Sequence, residues 1–264
     1  MRIVCIIQAR ISSIRLPGKI LLPGYEKPLL FHLLERLKKS KLINKIVIAT
    51  STNQQDDLIF NLCTSKKIEV FRGSENDLLS RYYKCAKKYK AKNIIRLTSD
   101  CPLMDPKIVD LMINKYFSLK NVDYLSNIHP PSYPDGFDIE IFTFKALYKA
   151  YRNAKKKYER EHVTPYIWDN FEKFKIENFS EFKNDELYKK YRLTLDYKED
   201  FYVIWNIYKS LYPKKKYFNL KDIISYLKKN KKVLINKNLI KVNWYRHAYK
   251  KLKTISKKDT KFYK

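Results

Sequence analysis

"IVCIIQARISSIRLPGK", residues 3–19, runs from an unbroken apolar segment into a loop that gathers Arg10, Arg15 and Lys19 around two serines and a Pro-Gly pair. Apolar residues from Ile3 to Ile7 with no polar alternation read as a strand buried on both faces. A chain that leaves such a strand through small residues and cations brings backbone amides and positive charge to one end of a sheet. The loop is neither GxxxxGK[ST] nor GxGxxG, so it reads as a phosphate-binding loop of another kind, with a solvated basic turn as the competing reading.

Working outward, apolar runs alternate with amphipathic ones. Residues 28–39 read as a helix, 45–50 as a strand, 56–66 as a helix and 68–71 as a strand. A helix over 76–90, with Asn76 as N-cap, precedes a strand at 94–98 and a helix that Pro106 opens after the cap residue Asp105. This alternation predicts an α/β fold, a mostly parallel central sheet with helices on both faces, whose ligands sit beyond the carboxyl ends of the strands. The second half is less regular. Strands are expected at 122–126, 138–144 and 174–179, a single helix at 158–170, and a short strand at 192–196 feeding a helix over 198–212.

The chain of 264 residues can bury one large core, with basic helices appended after Pro213. Its net charge of +29 comes from 45 Lys and 11 Arg against 27 acids. Such a lysine excess is a compositional drift more than a designed phosphate face, although residues 213–264 carry 18 bases and two acids. That extension reads as a solvated helical face, with nucleic acid or an anionic membrane surface as the alternative. The scarcer arginines are more informative, because a planar fork on phosphate or carboxylate cannot be replaced by lysine. Arg10, Arg15, Arg72, Arg81, Arg96, Arg160 and Arg192 all fall in or beside motifs. Four scattered cysteines without a CxxC fit reduced thiols, and neither a signal peptide nor a membrane span is legible, so a cytoplasmic location is expected.

Two acidic motifs carry the chemistry. In "RLTSDCPLMDP", residues 96–106, Asp100 ends an apolar strand; in "RLTLDYKED", residues 192–200, Asp196 sits in the same local setting. Two carboxylates converging on one crevice suit Mg2+ while leaving room for phosphate oxygens. Asp200 supports the first turn of the helix that follows. In "YPDGFDIE", residues 133–140, Asp135, Asp138 and Glu140 flank Gly136 and suit hydrogen bonds to sugar hydroxyls. His162 in "EREHVTPY" could bind a carboxylate or relay a proton, and Arg160 and Arg72 are candidate anion contacts.

Taken in order, "QARISSIRLPGK", "RGSENDLLSRY", "RLTSDCPLMDP", "YPDGFDIEIF", "EREHVTPY" and "RLTLDYKED" resemble the spore-coat-polysaccharide protein F type of cytidylyltransferase, a family similar to the CMP-KDO synthetases. The resemblance covers roughly residues 1–212. It implies a Rossmann-like nucleotide-diphospho-sugar transferase fold with a nucleotide-binding half at about 1–120 and an acceptor-binding part at about 121–212, the 213–264 extension lying outside both. It also implies transfer of CMP from CTP to an acidic sugar, in the KDO or nonulosonic class, with Mg2+ and a homodimeric assembly. Arg10, Arg15, Lys19 and Asp100 would be the catalytic groups, and Asp100 and Asp196 the metal ligands. Gln8, Ala9, Arg10, Ser13, Arg15, Gly18 and Lys19, with Thr50, Ser51, Arg72, Asp77 and Arg96, would bind the nucleotide. Asp135, Asp138, Glu140, Arg160 and His162 would meet the acceptor. Ser12 stands where similar proteins usually carry glycine, so a left-handed backbone there would be harder to adopt.

Two other readings compete. A glycosyltransferase consuming a nucleotide sugar on a similar sheet normally wants an acidic pair on one loop, and the first acidic motif offers only Asp100. A nucleic-acid-binding tail would use Trp244, Tyr245, Arg246, His247 and Tyr249 among the lysines.

Overall fold

Among residues 3–128, 131–180 and 186–242, which the computed structural model describes, seven strands form one sheet in the order β3-β2-β1-β4-β6-β5-β7. They are β1 (Ile3–Gln8), β2 (Lys45–Ser51), β3 (Val70–Gly73), β4 (Asn93–Thr98), β5 (Tyr124–Ser126), β6 (Glu140–Thr143) and β7 (Ile176–Asn178). β1 to β4 are parallel, and β6 alone runs against its neighbours, pairing antiparallel with both β4 and β5. The mostly parallel α/β sheet is therefore as expected, with one reversed strand marking the change from first half to second.

Residue alternation along β1 divides the core. Ile3, Cys5 and Ile7 face a layer built from α1 (Leu29–Leu37), α2 (Asp57–Ser65), α4 (Pro106–Ser118), α9 (Lys198–Leu211) and α10 (Leu220–Lys229). Val4 and Ile6 face α3 (Leu78–Lys88), α5 (Phe144–Asn153) and α7 (Pro165–Asp169). Each face buries branched and aromatic side chains, which is why β1 reads as a continuous apolar run. No helix of the described residues is long and apolar enough to cross a membrane.

Several local expectations are corrected. The N-cap of α3 is Asp77, whose side chain accepts from Ser80 N, rather than Asn76. The helix expected over 158–170 is two, α6 (Lys157–His162) and α7, split where Val163 takes φ 72° and ψ −54° and Thr164 N donates to His162 O at 2.9 Å. That is a strained γ-turn, and Pro165 directly after it has no N–H with which to continue the first helix. α5 is a helix with no counterpart in the expectations. Residues 192–196 form no strand; Arg192 makes a single bridge with Asp135, and the segment is held instead by side chains. A four-residue helix, α8 (Leu187–Lys190), leads into it.

The described part of the basic extension is packed rather than loose. Phe218, Leu220, Ile223 and Leu227 share the core layer of α1 and α9. Trp244 to His247 and Tyr249 lie outside the described residues.

Candidate active site

A cavity of about 550 Å³ opens beyond the carboxyl ends of β1 and β4, where the chain passes from β1 to β2 on one side and β4 lies on the other. This is the switch point at which open α/β sheets bind ligands. The first loop forms one wall. Gly18 at φ 67° turns that loop into a short 3-10 turn, which seats Lys19 inside the cavity at 8% exposure. Ser12 is not among the six described non-glycine residues at positive φ, so the loop does not ask a glycine conformation of it; its hydroxyl donates to Glu75 at 3.3 Å.

The Lys19 ammonium donates to Asp100 Oδ2 at 2.9 Å and to Asp196 Oδ1 at 2.8 Å. Arg15 donates to the same Asp196 oxygen at 2.5 Å. Burial disfavours the Asp100 charge, but the ammonium and the Thr98 hydroxyl more than offset it and hold the carboxyl at about 2. Lys19 is likewise buried, and its two carboxylates hold its pKa above the usual lysine value.

Asp196 is fixed from behind by Arg192, whose side chain is wholly buried. Its guanidinium donates to Asp196 Oδ2 at 3.1 Å, Asp135 Oδ2 at 2.8 Å, Asp200 Oδ1 at 3.0 Å and the Val242 carbonyl at 2.8 Å. Asp200, in the first turn of α9, also closes that helix's capping box, accepting from Asp196 N and from the N-cap Tyr197 N at 3.0 and 3.1 Å. Asn236, from the extension, donates to both Arg192 O and Asp200 Oδ1. Leu195 N and the Thr194 hydroxyl both donate to Asp100 O, so the two acidic segments are laced together through backbone. Gly136 permits the approach of "YPDGFDIE" to this strap: at φ 104° it sits where a Cβ would lie 2.4 Å from the Leu193 carbonyl carbon.

The opposite wall comes from β6, α6 and the preceding loop. Glu140 is 2% exposed and engaged by Arg96, by Tyr124 Oη at 2.7 Å and by Thr164 Oγ1 at 2.6 Å. Asp138 lines the cavity and makes no ion pair among the described residues. Burial, then the charges of Asp135 and Glu140, push its pKa up, and burial pushes Asp135 to about 7 despite Arg192. Burial also lowers His162 to about 4 against the pull of Glu161, which keeps the imidazole neutral near pH 7.

The cavity thus brings together Gln8, Ala9, Arg10, Ser13, Arg15 and Lys19 with Arg96, Asp100 and Asp196, and with Asp135, Asp138, Glu140 and His162. Other expected residues are placed behind it. Thr50 and Ser51 are fully buried, and the Ser51 hydroxyl donates to Asp56 at 2.5 Å. Arg72 donates to the Ser51 and Asn53 carbonyls and pairs with Asp57 at 2.6 Å. Asp77 and Arg160 occupy each other, with Arg160 Nη2 at 2.6 Å from Asp77 Oδ2, tying α6 to α3. Arg81, Tyr133, Trp168 and Thr194 line the cavity without having been assigned to it from sequence. Arg81, Tyr133 and Thr194 stand inside quoted motifs, whereas Trp168 carried no local signal.

Two carboxylates gripping one ammonium are a donor set that accepts a cation, and the ammonium stands where positive charge is wanted. Among the described residues no group of three or more His, Cys, Asp or Glu side chains is arranged for a metal. A two-carboxylate site still suits Mg2+, which takes its other ligands from water and substrate phosphates.

A family model described as Cytidylyltransferase matches residues 4–252. An uncharacterized protein of Methanocaldococcus jannaschii is 41% identical over 248 residues, 90% of this chain and 96% of that one. The spore coat polysaccharide biosynthesis protein SpsF of Bacillus subtilis is 36% identical over 211 residues, covering 78% and 86%. A solved cytidylyltransferase from Leptospira borgpetersenii superposes with a TM-score of 0.82 at 40% identity, covering 89% of this chain and 98% of that one.

Proposed function

Because the chain belongs to the cytidylyltransferase family, we propose that it transfers CMP from CTP to an acidic sugar of the KDO or nonulosonic class, releasing pyrophosphate, in the making of a surface polysaccharide. Membership of that family favours nucleotidyl transfer over glycosyl transfer. The observation that carries the reading is the Lys19 ammonium held between Asp100 and Asp196, with Arg15 on the same carboxylate, in one cavity at the carboxyl ends of β1 and β4.

In this reaction an oxygen of the sugar attacks the α-phosphorus in line, the bond to the β-phosphate oxygen breaks, and pyrophosphate departs. The enzyme's task is positioning and charge neutralisation. Arg10, Arg15 and Lys19 would hold the triphosphate and stabilise the leaving pyrophosphate. Asp100 and Asp196 would hold Mg2+, which when bound polarises the α-phosphate. Asp135 and Asp138 face the cavity to accept hydrogen bonds from sugar hydroxyls, while Glu140 is spent on Arg96, Tyr124 and Thr164 and braces the wall. A neutral His162 would meet the acceptor as a hydrogen-bond partner rather than as a cation. The acidic class of the sugar rests on the resemblance of the six motifs, and the polysaccharide on the likeness to SpsF.

The test is incubation with each of the four nucleoside triphosphates, Mg2+ and a panel of KDO-like and nonulosonic acids, followed by pyrophosphate and mass detection. CTP-selective, acceptor-dependent pyrophosphate release with a CMP-sugar product supports the proposal. Product formed only with neutral sugars would overturn the acidic class.

A further inference from the structure

Arg81 lies on α3 and lines the cavity, as do Gln8, Ala9 and Arg10 of the first strand and loop and Leu78 one turn earlier on the same helix. It is 3% exposed, and its guanidinium makes no hydrogen bond or ion pair among the described residues; Nε and Nη1 are enclosed without an acceptor. Among the described residues the other buried arginines each have at least one acceptor, although Arg36 Nη1 and Arg96 Nε also lack one. Arg36 donates to three carbonyls, and Arg192 to three carboxylates and a carbonyl. Arg96, also largely enclosed, pairs with Glu140.

The acids near Arg81 are committed elsewhere. Asp56 accepts from Ile11 N at 2.7 Å and from the Ser51 hydroxyl, and Glu75 accepts from Ser12 and from Asn53 Nδ2 at 2.7 Å. Burial weakens the hold of Arg81 on its proton. A buried cation without an acceptor is a cost to the fold, and proteins keep one where a ligand completes it.

The ligand must present adjacent acceptors and no donor to the fork, since a guanidinium only donates. Cytosine offers O2 and N3 side by side. Uracil carries N3–H at the same place and would set donor against donor. Leu78 supplies apolar surface for a planar ring from the same helix. We propose that Arg81 reads the base, donating to O2 and N3 of cytosine, and that it thereby selects CTP over UTP. The proposal rests on the CTP reading above and adds the residue that enforces it.

The experiment is calorimetric titration of full-length wild type, Arg81→Met and Arg81→Lys with CTP and with UTP, in Mg2+ and without acceptor, alongside melting of the unliganded proteins. Wild type is expected to prefer CTP. Arg81→Met should weaken CTP on the order of 10- to 100-fold, the size of a bidentate base contact, and leave UTP within about two-fold. Its unliganded melting temperature should equal or exceed that of wild type, because an uncompensated charge has been removed. Arg81→Lys, which keeps charge but loses the fork, should also lose preference. Equal weakening of CTP and UTP would make Arg81 a phosphate contact and overturn the proposal. So would an undiminished CTP preference in both variants, with or without a lower melting temperature. A wild type that binds both nucleotides alike would instead overturn the CTP reading on which this one stands.

Discussion

Asp100 and Asp196, from distant parts of the chain, accept hydrogen bonds from one and the same ammonium, that of Lys19, at 2.9 and 2.8 Å. Two acidic groups brought that close would repel, and the fold tolerates them because a cation stands between them and Arg192 stands behind. On the proposed reading their convergence would serve a triphosphate with its counter-ion, and it sets the first two predictions.

Asp100→Asn keeps the shape and one acceptor for Lys19 while removing the charge. Turnover in the pyrophosphate-release assay should fall about 100-fold or more, the range seen when one preorganised electrostatic contact to a developing charge is lost. The melting temperature should stay within a few degrees of wild type. Full activity in this variant would remove Asp100 from the chemistry.

Lys19→Ala leaves the two carboxylates without the cation between them. Lys19 holds Asp100 at about 2, below its unfolded value near 4, so the pair stabilises the fold above pH 4 and loses that contribution as pH falls toward 2. With Asp100 part-exposed, a loss of about 1–2 kcal/mol at pH 7 is expected, shrinking at pH 3, by urea unfolding. Millimolar Mg2+ without nucleotide should raise the melting temperature of the variant more than that of wild type. No differential Mg2+ effect would count against a two-carboxylate metal site.

How much of this was legible in sequence depended on the range of the interaction. Ile3–Ile7, the loop after it and Asp100 at the end of β4 could be read because period and punctuation are local. The strap at 192–196 looked like a strand because apolar and polar residues alternate there, but it is organised by Arg192 reaching Asp200 within the motif and Asp135 and Val242, 57 and 50 residues away, and the distant contacts lie in no local window of sequence. The break at Val163 was hidden because a β-branched residue at φ 72° is what propensity argues against. Arg72, Asp77 and Arg160 look like ligand contacts in their motifs, yet pairings across the fold have taken them up. Arg81 is the reverse case: its motif marked it without a role, and its lack of a partner in the fold supplies one.

Arg192→Lys tests whether the hub needs its fork. A lysine can reach one of the carboxylates but not Asp135, Asp196 and Asp200 together. Destabilisation of about 3 kcal/mol is expected, because buried carboxylates are left unpaired, and turnover should drop with it as Asp196 loses its backing. Asn236→Ala withdraws one donor each from Arg192 O and Asp200, leaves the guanidinium in place, and should cost about 1–2 kcal/mol. Turnover should fall much less in Asn236→Ala than in Arg192→Lys; equal losses would mean that Arg192 acts only through stability.

His32, on α1, supplies a pH-dependent stability through burial. It is 1% exposed, donates from Nε2 to Tyr25 O at 2.7 Å, and sits against the rings of Tyr208 and Tyr212. Burial lowers its pKa to about 4 from 6.5. The unfolded chain therefore binds a proton between those values that the folded chain refuses, so the His32 contribution is full above pH 6.5 and declines as pH falls toward 4. At pH 5 the loss is on the order of 1–2 kcal/mol. Asp135, raised to about 7, acts with the opposite sign over much of the same window, so the readout is the difference between wild type and His32→Gln rather than either curve alone. Lost ring packing offsets the variant at every pH, but its excess instability should narrow between pH 7 and pH 5 in urea unfolding. A constant offset across that interval would mean that His32 does not titrate there in either state.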